Sequence, residues 1–273
     1  MKIFVAGGAG FIGSNFIKYI FKKHKNAKIL NYDKLTYSGN LDNLKDIKEN
    51  KRYKFIKGDI VNKKNLEKVL KGFQPDYIVN FAAETHVDRS IHIGSEEFIN
   101  TNIVGVFNIL EVIKGNPKIK KYLQVSTDEV YGSLELKSKE IFKENTAFAP
   151  NVPYAATKAG GDLLCRAYYK TFKVPVVITH CSNNYGPNQY PEKLIPFFIL
   201  RMLENKKLSL SQLQILLTEL RDSILPKQIA TVSYYTERIP KIKRIIDLLN
   251  TSRFRARTVK RDIFGYSVVN EDY

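Results

Sequence analysis

Only two cysteines, Cys165 and Cys181, occur in the 273 residues, too few for a disulfide framework, and neither stands in a metal-ligand spacing. No metal site is expected. Nor does any apolar run approach the roughly 20 residues of a membrane span. The nearest imitation is Ile3–Ile17, which follows Lys2 and carries no charge, as a signal peptide would. That run holds four glycines and Asn15, and no small-residue cleavage site follows it, so a cytoplasmic protein off the membrane is expected. Acidic residues are scarce, 27 against 44 Lys and Arg, for a net charge of +17. The lysines are strewn along "FKKHKNAK", "NKKNLEKVLK" and "NPKIKK" without a basic stripe interleaved with aromatics, which argues for a solvated surface and against nucleic acid. A positive potential also suits an anionic substrate. Glycine all but vanishes from the last quarter: of fifteen, only Gly265 lies beyond Gly186.

What is present is a regular alternation. "KIFVA", "KILNY", "YKFIK", "DYIVNFA", "KYLQVST" and "VPVVITHC" are short apolar runs of the kind buried strands require. Between them lie helical patterns. Phe11, Ile12, Phe16, Ile17, Ile20 and Phe21 form one stripe, "SEEFINTNIVGVFNILEVIK" reads as one long helix opened by Ser95, and "VPYAATKAGGDLLCRAYYKTF" as another. Strand–helix–strand repetition predicts right-handed crossovers and an α/β fold with a doubly wound parallel sheet of Rossmann type. "LIPFFILRML" is expected to be a core helix, and "LSLSQLQILLTELRD" and "KIKRIIDLLN" give the C-terminal segment a small helical lobe.

"FVAGGAGFIGSNF" sets Gly7, Gly10 and Gly13 directly after a strand and at the start of an amphipathic helix. Glycine lets the backbone turn tightly and approach a pyrophosphate, which rests on the unpaired N–H groups of the helix N-terminus. Asp33, twenty residues past Gly13 at the end of the second strand, is placed to bind both ribose hydroxyls and to repel a 2′-phosphate. The expected cofactor is therefore NAD rather than NADP. "GDI" at 58–60 is expected near the adenine.

Tyr154 and Lys158 form Y-x-x-x-K, a spacing that sets an ammonium near a phenol on one helix face and lowers the phenol's pKa. The spacing alone is weak, since Tyr19/Lys23, Tyr53/Lys57 and Tyr169/Lys173 share it; these read as surface pairs. Context lifts Tyr154, because its helix follows the strand that ends in Ser126 and Thr127. In "STDEVYG" that strand runs into two adjacent carboxylates, Asp128 and Glu129. They are either surface punctuation or an acid and a base on a bound ligand.

The stretches "GGAGFIGSNF", "YDKLTYSGNLDNL", "FAAETHVDRSI", "FINTNIVGVFNILE", "VSTDEVYG", "PYAATKAGGD" and "HCSNNYGPNQYPEKLIP" carry a resemblance over residues 1 to about 207. There the chain resembles the extended short-chain dehydrogenase/reductases and, among them, the dTDP-glucose 4,6-dehydratases; a 4-epimerase of the same superfamily is not expected to show "TDE". The resemblance implies a hydro-lyase that draws a hydride from C4 of a nucleotide sugar, eliminates water across C5 and C6, and returns the hydride to C6. It makes Tyr154 the base, with Lys158 beside it and Thr127 assisting, gives Glu129 the C5 proton, and has Asp128 protonate the departing hydroxyl. It extends the NAD site to Phe11, Ile12, Lys34, Thr36, Asp59, Ile60, Ala82, Ala83, Ser126 and Asn183. It sets Thr85, His86, Asn184, Lys193 and Leu194 at the sugar nucleotide, although His86 alone reads equally as a satisfied core or loop histidine.

The expected organisation is an NAD-binding domain over 1–182, the start of a substrate lobe over 183–207, and an unmatched tail over 208–273. The tail shows no hairpin followed by an R-D-W-like stretch, and a disrupted or out-of-frame gene near codon 208 accounts for it most simply. Two alternatives to the active enzyme stand beside it: a relic that still binds NAD, and a non-catalytic NAD-binding regulator. The resemblance also implies a homodimer through helices near 94–114 and 152–173.

Overall fold

The computed structural model describes residues 1–134, 141–204, 259–260 and 267–268. The chain divides into two compact units, Met1–Gln189 and Tyr190–Tyr273. In the first, strands β1 (Lys2–Ala6), β2 (Lys28–Asp33), β3 (Tyr53–Lys57), β4 (Tyr77–Asn80), β5 (Lys121–Thr127) and β6 (Val176–Cys181) form one sheet in the order β3-β2-β1-β4-β5-β6. Every neighbouring pair is parallel. The chain winds outward from β1 to β3, then restarts at β4 on the other side of β1. That reversal leaves a crevice beyond the C-terminal ends of β1 and β4, where open parallel sheets bind ligands.

The inner strands β1, β2 and β4 are covered on both faces, and nearly all their residues are buried. Alternate residues of β1 serve opposite cores. Phe4 and Ala6 pack with Leu66 and Leu70 of helix α2 (Lys63–Phe73). Ile3 and Val5 pack with Ile17 and Ile20 of helix α1 (Phe11–Lys23) and with Leu44.

Three details differ from the sequence reading. The long helix expected over 95–114 is helical throughout but not uniform. Short helices α3 (Val87–His92) and α4 (Glu96–Ile99) lead into a π-helical stretch, Asn100–Gly105, before α5 (Val106–Ile113). Asn102 anchors that stretch: its Oδ1 accepts from the Glu84 N–H at 3.0 Å, and its Nδ2 donates to the Glu84 carbonyl and to Thr157 Oγ1 at 3.0 Å each. Tyr53 is no surface residue, because β3 pairs with β2 and brings its hydroxyl within 3.0 Å of Asn31 Nδ2; burial raises its pKa. The segment 194–203 is a helix, α7 (Leu194–Leu203), following α6 (Pro153–Phe172), but its Leu200 and Leu203 are exposed rather than core. The helices expected between 207 and 250 lie outside the described residues. Val259–Lys260 and Ser267–Val268 form a short antiparallel pair. Among the described residues, no helix is long and apolar enough to cross a membrane.

Candidate active site

The turn after β1 is built by its glycines. Gly7 has φ +73°, and its N–H donates to the Tyr32 carbonyl at 3.0 Å. A Cβ there would meet the Ala82 backbone, so the close approach of β1's exit to β4's exit needs glycine. A Cβ on Gly13 would lie 2.8 Å from the Gly8 Cα, which fixes how closely α1 packs on the turn. Gly10 differs. Its φ of −74° is ordinary, and an added Cβ would meet only the Gly7 carbonyl oxygen at 3.5 Å.

Asp33 closes β2 beside this turn. Its Oδ2 accepts from the Ala9 N–H at 2.9 Å and its Oδ1 from the Leu35 N–H at 2.8 Å, so one buried carboxylate braces the glycine turn and the loop after β2. Burial pushes its pKa up, and the two N–H bonds oppose that. A cleft enclosing about 560 Å³, solvent included, opens between these parts. Gly7, Gly10, Asp33, Lys34, Thr36, Asp59, Ile60, Ala82 and Ala83 all line it. Lys34 Nζ and Asp59 Oδ2 pair across it at 2.9 Å. Phe11 and Ile12 instead open α1, and Gly13 lies beneath the turn. Sequence reasoning missed other lining residues, among them Ser38, Gly39, Phe81, Glu84 and Thr101.

Beyond β5 the chain enters a 3₁₀ turn, Asp128–Tyr131, capped by Thr127, whose Oγ1 accepts from the Glu129 N–H at 3.3 Å. Such a turn has three residues per revolution, so successive side chains diverge by about 120°. Asp128 and Glu129 thus leave one short turn in different directions. Asp128 is half-buried, and desolvation raises its pKa against the hydrogen bond to Thr127 Oγ1 at 3.4 Å. Tyr154, near the start of α6, is buried, with the Thr127 side chain close enough to act on its phenol. Burial, then the Glu129 carboxylate, drive that phenol's pKa up.

The Lys158 Nζ, one helical turn after Tyr154, donates to the Val125 carbonyl at 2.7 Å; burial pulls its own pKa down while Asp162 opposes. Ser126, one residue before Thr127, donates to Asp162 Oδ2 at 2.5 Å. Asp162 lay unnoticed in the sequence, although its position four residues after Lys158 puts it on the same helix face.

The residues expected at a sugar are more scattered. Thr85 precedes His86, whose Nδ1 caps α3 by accepting from the Arg89 N–H at 3.4 Å. Asn183 and Asn184 are exposed in the loop after β6, where Asn184 Nδ2 donates to the Ser182 carbonyl at 2.9 Å. Lys193 and Leu194 belong to the second unit. The Lys193 N–H donates to the Tyr190 carbonyl at 3.1 Å, and the side chain of Leu194 lies outside the described residues. Among the described residues, no three His, Cys, Asp or Glu gather as a metal site would require.

A protein-family model described as GDP-mannose 4,6 dehydratase matches residues 4–216. A dTDP-glucose 4,6-dehydratase of Salmonella typhimurium is 46% identical over 223 residues, covering 76% of this chain and 61% of the relative, so the chain spans about three-fifths of that relative's length. The crystal structure of a dTDP-glucose 4,6-dehydratase from Bacillus anthracis in complex with NAD superposes with TM-score 0.69 at 51% identity, over 76% of this chain and 63% of that one. A UDP-glucuronic acid 4-epimerase from Bacillus cereus, in complex with UDP-glucuronic acid and NAD, gives TM-score 0.70 at 32% identity, over 76% and 65%.

Proposed function

The chain belongs to the GDP-mannose 4,6-dehydratase family, and on that premise we propose that it is an NAD-dependent hydro-lyase converting dTDP-glucose to the 4-keto-6-deoxy sugar. Residues 1–182 form the NAD-binding domain in this reading, and 183–207 begin the substrate lobe. One observation carries it: Thr127, Asp128 and Glu129 leave the end of β5 together, and all three act on the buried Tyr154 phenol.

The residues present fit the cofactor. The open space over Gly10 accommodates a pyrophosphate against the N-terminus of α1, and the Asp33 carboxylate retains lone pairs for ribose hydroxyls. Bound NAD supplies a hydride acceptor and donor for the sugar. Tyr154 takes the C4 hydroxyl proton while Thr127 steadies that oxygen. The resulting ketone acidifies the C5 hydrogen, and Glu129 removes it as a proton. The C6–O bond breaks as Asp128 protonates the departing hydroxyl, which leaves as water; burial, which raises Asp128's pKa, keeps that proton available. Glu129 then returns its proton to C5.

The direct test incubates the chain with NAD⁺ and dTDP-glucose and looks for loss of one water from the sugar nucleotide by mass spectrometry. Formation of the dehydrated product is expected. Binding of NAD with an untouched sugar nucleotide overturns the activity and leaves the NAD-binding relic.

The two glycines separate folding from binding. Gly13→Ala is expected to lower the melting temperature, since overpacking against backbone costs about 1–3 kcal/mol. Gly10→Ala leaves the melting temperature unchanged and weakens NAD binding about tenfold, because its methyl occupies the ligand's space rather than the protein's. Calorimetric scanning and titration on both variants check this. Equal effects of the two substitutions on stability would contradict the assignment.

A further inference from the structure

We propose that His180 is a positioning residue that ties the turn bearing Asp128 and Glu129 to the helix bearing Tyr154 and Lys158. The rate consequence rests on the dehydratase reading; the bridge itself does not.

His180 stands directly opposite Ser126 in the β5–β6 register. Its ring spans two elements. Nδ1 lies 2.8 Å from the hydroxyl of Tyr131, the last residue of the 3₁₀ turn, and Nε2 lies 3.2 Å from Oδ2 of Asp162 in α6. That oxygen also accepts from Ser126 Oγ. The four side chains Tyr131, His180, Asp162 and Ser126 thus form one continuous hydrogen-bonded row behind the carboxylates. Asp162 is completely buried, and among the described residues its Oδ1 has no hydrogen-bond partner, so there the row's bonds to Oδ2 carry the satisfaction of that carboxylate.

The geometry selects one proton arrangement for a neutral ring. A carboxylate only accepts, so Nε2 bears the hydrogen. Nδ1 is then a lone pair, and the Tyr131 O–H must donate to it. The other tautomer would turn a lone pair toward the carboxylate. Both rotatable groups are thereby committed, and packing holds them. The Tyr131 and Phe148 rings meet the imidazole edge-on at 4.9 and 5.6 Å between centroids. The titratable groups facing the ring are Tyr131 and Asp128 from the turn and Asp162 from α6, with Glu144 acting on Tyr131.

The consequence is alignment. Tyr131 lies two residues after Glu129, and Asp162 lies eight after Tyr154, two helical turns along the same face. A fixed link between Tyr131 and Asp162 therefore fixes the acid and base relative to the phenol. Small misplacements of such groups are costly for rate.

The test uses the full chain labelled with ¹⁵N-histidine, its four histidines sorted by the loss of one signal in His180→Phe. Whenever its ring is neutral, His180 is expected as a single Nε2–H tautomer with a slowly exchanging ring proton. Tyr131→Phe, which keeps the ring packing, speeds that exchange about tenfold. Fast averaging of the two tautomers in the unaltered chain, or no response to Tyr131→Phe, overturns the bridge. With NAD and dTDP-glucose, His180→Phe lowers kcat about tenfold at unchanged KM and NAD affinity, and His180→Gln, whose amide can still donate to Asp162, recovers part of the loss. An unchanged kcat in His180→Phe overturns the positioning role. No turnover by the unaltered chain refutes the dehydratase reading instead, and the ring spectra then decide the bridge alone.

Discussion

Replacing Glu129 by Gln is expected to reduce water loss from the sugar nucleotide about a thousandfold, while folding and NAD affinity stay as they are. Gln matches the shape of Glu, and the Glu129 backbone N–H keeps its bond to Thr127 Oγ1, which holds the start of the 3₁₀ turn. What disappears is the only group proposed to take the C5 proton. Hydrogen exchange isolates that step. In heavy water the unaltered chain should wash deuterium into C5, and Glu129→Gln should not. Asp128→Asn should behave differently: C5 exchange persists, but water loss slows about a hundredfold, because the departing hydroxyl lacks its proton. The pH dependence has a definite sign. Asp128 acts as an acid and its pKa is raised, so elimination is supported at low pH and fades as pH rises through that raised value. Undiminished C5 exchange in Glu129→Gln would mean that another group is the base.

The strands were legible because sheet burial concentrates apolar and β-branched residues in short runs between helical patterns, and β1, β3 and β5 have the limits of "KIFVA", "YKFIK" and "KYLQVST". The glycine turn and Asp33 were legible because their spacing along the chain is itself the constraint. The π stretch at Asn100–Gly105 was not. It depends on Asn102 meeting Glu84 and Thr157, partners 18 and 55 residues away, and nothing in the local periodicity records them. Tyr53 was misjudged for a related reason: its segment read correctly as a strand, but which strand it pairs with, and so its meeting with Asn31, leaves no mark in its own sequence. The row through His180 was equally hidden. It exists because parallel pairing sets Ser126 against His180, and a strand's sequence carries no mark of its neighbour's register.

Tyr154→Phe is expected to abolish both C4 oxidation and everything after it, by about a thousandfold or more, which distinguishes it from Glu129→Gln. In the latter, C4 oxidation should survive and show as nicotinamide absorbance in a single turnover. In Tyr154→Phe neither signal should appear. The two sites are also coupled through charge. Burial is the first cause of Tyr154's raised pKa, and the Glu129 carboxylate is the second, since a negative neighbour disfavours a phenolate. At neutral pH almost all of the phenol is therefore protonated. A step that needs the phenolate should accelerate about tenfold per pH unit across the neutral and mildly alkaline range. Glu129→Gln removes one upward influence while leaving burial, so its C4 oxidation should be faster than that of the unaltered chain at the same pH, its rising limb displaced toward lower pH. A Glu129→Gln variant whose oxidation limb coincides with the parent's would place Glu129's charge outside electrostatic reach of the phenol and separate the two halves of the site.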